Sequence, residues 1–259
     1  MRRSGRRKAA RAALGLACVS VLVVGVALLV TLAFSDSARG GAASRAAGRD
    51  YLALGDSVTF GYREADTSPP PNYSDASSFV GFPEVVGAAL GFNVANAACT
   101  GESSASFIYK GGQSNGCENA HGGGPGYRTT SPLHVSYGGT QLQYAVQYLK
   151  THPQTRLVSL MIGYNDLFIC QEKTTDQCAS EVPAVQRQVS ANIADILGVI
   201  RHGARYDGQV VIVNYYSFDY ANSADNRSTQ RVNRAQDSAA EPFHVQLADG
   251  FAALRVVTK

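Results

Sequence analysis

From residue 50 onward, short apolar runs alternate with longer amphipathic stretches. Strands are expected at 51–54, 92–95, 156–162, 209–215 and 245–248, and helices at about 79–90, 140–150, 183–202 and 226–240. In the third helix Val185, Val189, Ile193, Ile196 and Ile200 recur at steps of three and four, opened by Pro183 and closed by Gly203. Pro242 stops the fourth. Strands that alternate with helices need crossover connections, so the pattern predicts an α/β fold with a mostly parallel sheet and helices on both faces. Two connections are long: 63–78, with Pro69, Pro70 and Pro71, and the Gly-rich 110–139. Loops of that length suit a substrate lid, and surface decoration pinned by Cys117 suits them as well.

The pattern before residue 50 is different. Residues 1–11 form a basic head, and 12–34 contain no charge and are rich in Leu, Val and Ala. A secretory apolar core runs about 7–15 residues and a spanning helix needs about 20, so the length favours a retained membrane anchor over a cleaved signal. The basic side stays cytoplasmic, which places the rest of the chain at the cell membrane as an extracytoplasmic domain, or secretes it if the segment is cleaved. Cys18 has no lipobox before it and reads as membrane-buried. Residues 35–49 are small and polar, a flexible linker. The folded domain is 50–259.

Charge changes the picture once the head is set aside. The 259-residue chain carries +3 overall, but six of its 23 basic residues and none of its 20 acidic ones lie in residues 1–11. The remainder is net negative, which argues against a nucleic-acid surface. A hydrophobic content of 45% supports a packed core. Nothing in the pattern sets the oligomeric state.

Four cysteines remain outside the apolar segment: Cys99, Cys117, Cys170 and Cys178. In an exported domain they read as two disulfides, for which three pairings exist. Proximity favours Cys99 with Cys117 and Cys170 with Cys178. No CxxC or HxxxH spacing supports a zinc site, and no other metal or cofactor is implied.

In a doubly wound sheet, ligands bind outside the carboxyl ends of the strands. Ser57 follows the first expected strand, Gly101 the second and Asn165 the third. A hydroxyl nucleophile with donors aimed at a developing oxyanion is the requirement of serine hydrolysis. The backbone amides of Ser57 and Gly101 and the side-chain amide of Asn165 are three such donors. Asp166 reads as a cap or loop-holding residue. Ser114 in GQSNG and the following His121–Gly124 imitate a nucleophile elbow and its oxyanion loop, but no strand precedes Ser114 and the order is reversed.

GDS at 55–57, Gly101 in CTGES and GYND at 163–166 resemble the three blocks of the SGNH, or GDSL, hydrolase family, and the likeness runs from about residue 51 onward. The resemblance implies a flavodoxin-like three-layer α/β/α sandwich with a five-stranded parallel sheet. It implies hydrolysis of a small-molecule or lipid ester through an acyl-serine, without metal or other cofactor. Ser57 would be the nucleophile, with Gly101 and Asn165 completing the oxyanion hole.

The family's last block, a DxxH after the fifth strand, supplies the base. No Asp lies three residues before any of the five histidines. The nearest imitation, Glu241 to His244, stands at the start of the fifth strand, and five residues at about 3.3 Å each put it roughly 16 Å from the carboxyl edge. His121 and His134 read as solvated loop residues, and His152 and His202 as helix-end residues. Ten residues follow Asp249, too few for a loop, a DxxH and a closing helix. The expectation is an esterase domain truncated before its DxxH, with impaired catalysis and an uncovered sheet. The alternative is a non-catalytic acyl- or glycan-binding module.

Overall fold

The computed structural model describes residues 49–119 and 123–257. The head, the apolar segment with Cys18, the linker as far as residue 48, and His121 lie outside the described residues. Among the described residues no helix is long and apolar enough to cross a membrane.

Five parallel strands, β1 (Asp50–Gly55), β2 (Asn93–Asn96), β3 (Thr155–Met161), β4 (Gln209–Val213) and β5 (Gln246–Ala248), form one sheet in the order β2-β1-β3-β4-β5. The chain winds outward from β1 in both directions, the flavodoxin-like order. Side chains alternate between faces, and both faces are covered. Leu52 and Leu54 of β1 join one core cluster while Tyr51 and Ala53 join the other.

The first face carries α5 (Gln141–Thr151), α7 (Val182–Gly198) and most of the buried apolar residues of α8 (Ser223–Ala240). The five apolar residues expected to line the helix at 183–202 pack there as predicted, the last of them in a π-helical turn, Val199–Gly203. The second face carries α2 (Phe82–Leu90) and α9 (Gly250–Val257). Three short helices, α1 (Ser57–Phe60), α3 (Ser104–Ile108) and α4 (Tyr127–Thr130), and the longer α6 (Tyr164–Lys173), occupy the loops.

Residues 250–257 correct one part of the expectation, the absence of a closing helix. They form α9, capped by Asp249, whose Oδ1 accepts from the Ala252 amide at 2.8 Å, and Leu254 of α9 is fully buried. Leu254 seats the helix among the core residues of the second face. Leu247, Val256 and Val257 nevertheless remain exposed at this margin.

Both disulfides have the pairing that proximity favours, Cys99–Cys117 and Cys170–Cys178.

Candidate active site

The turn after β1 is built by close contact. Gly55 has φ +147°, and a Cβ there would lie 2.3 Å from the Met161 carbonyl at the end of β3. Only glycine lets the two strand ends approach this closely. Asp56 then caps α1: its Oδ1 accepts from the Val58 amide at 3.0 Å. Its Oδ2 accepts from the Tyr215 hydroxyl and, at 3.4 Å, from Asn165 Nδ2. Ser57 is the first residue of α1 and is partly exposed, and no described residue hydrogen-bonds its hydroxyl.

Gly101, after β2, has φ +79°, and a Cβ there would meet the Asn115 carbonyl at 2.3 Å. The Gly-rich loop therefore lies directly on this turn, with the Asn115 amide donating to the Gly101 carbonyl at 2.7 Å. Asn165, at the start of α6 after β3, is buried, and its Nδ2 donates to the Glu102 carbonyl at 2.9 Å. Asn165 thus touches the residue before Ser57 and the residue after Gly101. Asn115 Nδ2 donates to Asn165 Oδ1 at 2.8 Å, which fixes the amide with its NH2 between Asp56 and the Glu102 carbonyl. Asp166 holds α3 by accepting from the Ser104 amide at 2.8 Å and the Ser104 hydroxyl at 2.6 Å. The three strand-end motifs form one connected network.

The profile of the GDSL-like lipase/acylhydrolase family matches residues 53–257. The chain belongs to that family. Among solved structures it is similar to AlinE4, an SGNH-hydrolase family esterase, at 16% identity over 83% of this chain and 82% of that one, with a TM-score of 0.42. It is also similar to Est24, a carbohydrate acetylesterase from Sinorhizobium meliloti, at 13% identity over 81% and 99%, with a TM-score of 0.44. A catalytic mutant of Axe2, an acetylxylan esterase from Geobacillus stearothermophilus, matches at 15% identity over 82% and 80%, with a TM-score of 0.43. No curated protein sequence matches the chain.

This GDSL-family site carries carboxyl groups that burial makes hard to ionise. Desolvation pushes Asp56 up to about 7, opposed by the hydrogen bonds from Tyr215 and Val58. Glu102, buried under the Gly101 turn, is likewise pushed up to about 7 by desolvation, against hydrogen bonds from Ser106 and Gln141. Desolvation raises Asp166 to about 6, against its bonds from Ser104. The Tyr215 hydroxyl is driven well above its ordinary value by burial and then by the Asp56 charge, so it stays a donor.

Three residues of this network escaped the reading of the sequence. Gln141, the first residue of α5, bonds both backbone groups of Gly55, accepting from its amide at 2.6 Å and donating to its carbonyl at 3.0 Å. A second bond from Gln141 Nε2, at 3.1 Å, reaches Glu102. Asn115 and Tyr215 complete the list. A signal existed for Tyr215, which follows a strand as Ser57, Gly101 and Asn165 do, but the expected strand at 209–215 absorbed it; β4 ends at Val213.

The histidines stand elsewhere. His244 precedes β5, exposed and with φ 51°, at the amino edge of the parallel sheet, opposite to Ser57. His134 is not a solvated loop residue: its ring packs on Phe60 at 4.6 Å and its Nε2 bonds the Phe60 carbonyl at 3.0 Å. His152 stacks on Tyr148 at the far end of α5, and His202 lies in the π-helical turn. Asp249 follows β5 at the carboxyl edge, and the third residue after it is Ala252.

The imitation elbow is a loop organiser. Ser114 Oγ accepts from the amides of Glu118 and Asn119 at 2.9 and 3.2 Å, with no strand before it. The two long loops meet on α1 through a cluster of Phe60, Tyr62, Tyr73, Phe79 and Tyr127. Among the described residues two groups place potential metal ligands together, Cys99 with Glu102 and Cys117, and Cys170 with Cys178 and Glu181. In both, the sulfurs are joined in disulfides and are no longer thiolate ligands.

Proposed function

We propose that the chain is an ester hydrolase that cleaves acyl esters at Ser57, outside the cytoplasm and tethered through residues 12–34. Ser57 Oγ attacks the acyl carbonyl, and the oxyanion is held by the Ser57 and Gly101 amides and by Asn165 Nδ2. Collapse of the tetrahedral intermediate expels the alcohol, which takes up the proton that Ser57 gave up on attack, and leaves an acyl-serine for water to hydrolyse. The observation that carries this reading is Asn165 Nδ2, which reaches Asp56 at 3.4 Å and the Glu102 carbonyl at 2.9 Å and so joins all three motifs at one sheet edge. Two disulfides support the extracytoplasmic setting. A fluorophosphonate probe with short-chain nitrophenyl esters tests it. Labelling at Ser57 and turnover are expected, and a folded protein that shows neither refutes it.

A second reading, a non-catalytic module binding an acyl group or glycan, is favoured by one observation. Among the described residues no imidazole bonds the Ser57 hydroxyl, and His244 lies at the opposite sheet edge. Saturable binding of an ester analogue without turnover distinguishes this reading.

A further inference from the structure

The Glu102 side chain is 1% exposed and takes no part in the chemistry proposed above. Its Oε1 accepts from the Ser106 hydroxyl, and its Oε2 accepts from Gln141 Nε2 at 3.1 Å and lies 3.5 Å from Cys117 Sγ. Among the described residues it forms no ion pair, and Arg128, the cation whose charge it feels, is joined to Glu118. A carboxyl buried without a cation weakens the fold, a loss that an apolar side chain of the same size avoids. What the carboxyl adds is two acceptors on one carbon. They meet two donors, since Ser106 Oγ already accepts from the Ser103 amide at 3.1 Å and turns its hydrogen to Glu102.

We propose that Glu102 and Gln141 are positioning residues that hold the Ser57 and Gly101 amides at a fixed separation, so that both reach one oxyanion; this rests on the hydrolase reading above. A backbone donor has no side chain to aim it, so its direction is set by what grips the neighbouring residues. Gln141 carries the grip from one turn to the other. It bonds the Glu102 carboxyl, the residue after Gly101, and both backbone groups of Gly55, two residues before Ser57, at 2.6 and 3.0 Å. The Cys99 amide also donates to the Gly55 carbonyl, at 3.2 Å, but that link stands before Gly101. Glu102 holds the chain after it, and Gly101 is fixed from both sides. Glu102 reaches the Gly55 turn by its side chain only through Gln141, so the two residues act as one unit.

The test uses the full chain with a short-chain nitrophenyl ester and counts sites by fluorophosphonate labelling, so that kcat is read per labelled Ser57. Glu102→Met and Gln141→Met keep the size and lose the hydrogen bonds. Each should lower kcat by about 10- to 100-fold, the range for a donor displaced by up to about 1 Å, with KM changed less. The double variant should be no slower than Gln141→Met, because Glu102 acts through Gln141. Glu102→Gln, which still offers Gln141 an acceptor, should recover most of the loss seen in Glu102→Met. Fewer labelled sites at an unchanged kcat per site would mark a merely structural pair and overturn the proposal, as would losses that multiply in the double variant or a rise in KM alone. If a Met variant does not fold, Glu102→Asp, one methylene short of Gln141, must show the same fall in kcat, and a full kcat in it overturns the pair. If the intact chain takes no probe and turns over no ester, the hydrolase reading fails and amide resonances decide the pair. Gln141→Met should then shift the Gly101 amide signal together with that of Gly55, and a Gly101 signal left in place overturns it.

Discussion

The two flanks of the carboxyl edge differ in how completely their polar groups are paired. On the β2-β1-β3 flank, Asn165, Asn115, Gln141, Glu102 and Asp166 are tied together over sequence separations of 39 to 86 residues. On the β4-β5 flank, Asn214 Oδ1, Ser217 Oγ, Asn226 Oδ1 and Gln236 Oε1 are buried without a partner among the described residues, four atoms against two, Thr59 Oγ1 and Tyr127 Oη, on the first flank. A satisfied network in a low-dielectric setting is rigid, and an unsatisfied group weakens its surroundings. The oxyanion side is therefore preorganised, while the side from which the family's base would come is loosely specified.

The largest expected effect is Ser57→Ala. If the paired flank is a working site, probe labelling disappears and kcat drops about 10⁶-fold, the scale seen when a serine hydrolase loses its nucleophile. Asn165→Ala should follow at about 10²- to 10³-fold in kcat, the loss of one oxyanion donor. Asn115→Ala should lower kcat about tenfold through a misdirected Asn165 amide, with KM changed less. Equal effects of Asn115→Ala and Asn165→Ala would show that Asn115 does more than orient the amide.

Protonation sharpens the same contrast. Asp56 and Glu102 have folded-state values of about 7, above the ordinary carboxyl range near 4. The folded chain therefore holds protons that the unfolded chain releases, and stability present below about pH 4 is lost as pH rises through about 7. Melting temperature should fall across that window, and Asp56→Asn, which preserves the cap, should flatten the curve. The smallest effect belongs to the loose flank: Ser217→Ala removes a buried unpaired hydroxyl and should be neutral or stabilising by up to about 1 kcal/mol, read from denaturant melts.

Periodicity revealed the strands because burial on both faces leaves continuous apolar runs, and the strand-end motifs were legible because they adjoin those runs. Asn115 and Gln141 were not, since their partners lie 50 and 86 residues away and nothing local marks them. Gln141 reads only as part of the helix expected at about 140–150; its place behind the Thr140 cap is seen in the structure. α6 escaped because its residues, YNDLFICQEK, carry little apolar periodicity; contact with the core holds it instead. His134 reads as a loop residue because its contact with Phe60 crosses 74 positions.

Gln141 also gives the site a reporter. Its side chain closes on both backbone groups of Gly55 as a neighbouring strand would, though it belongs to a helix. Exchange of the Gly55 amide with deuterated solvent must wait until the first turn of α5 lifts away. The exchange rate of that one amide, two residues before Ser57, measures how often the helix on one face of the sheet lets go of the turn at its edge.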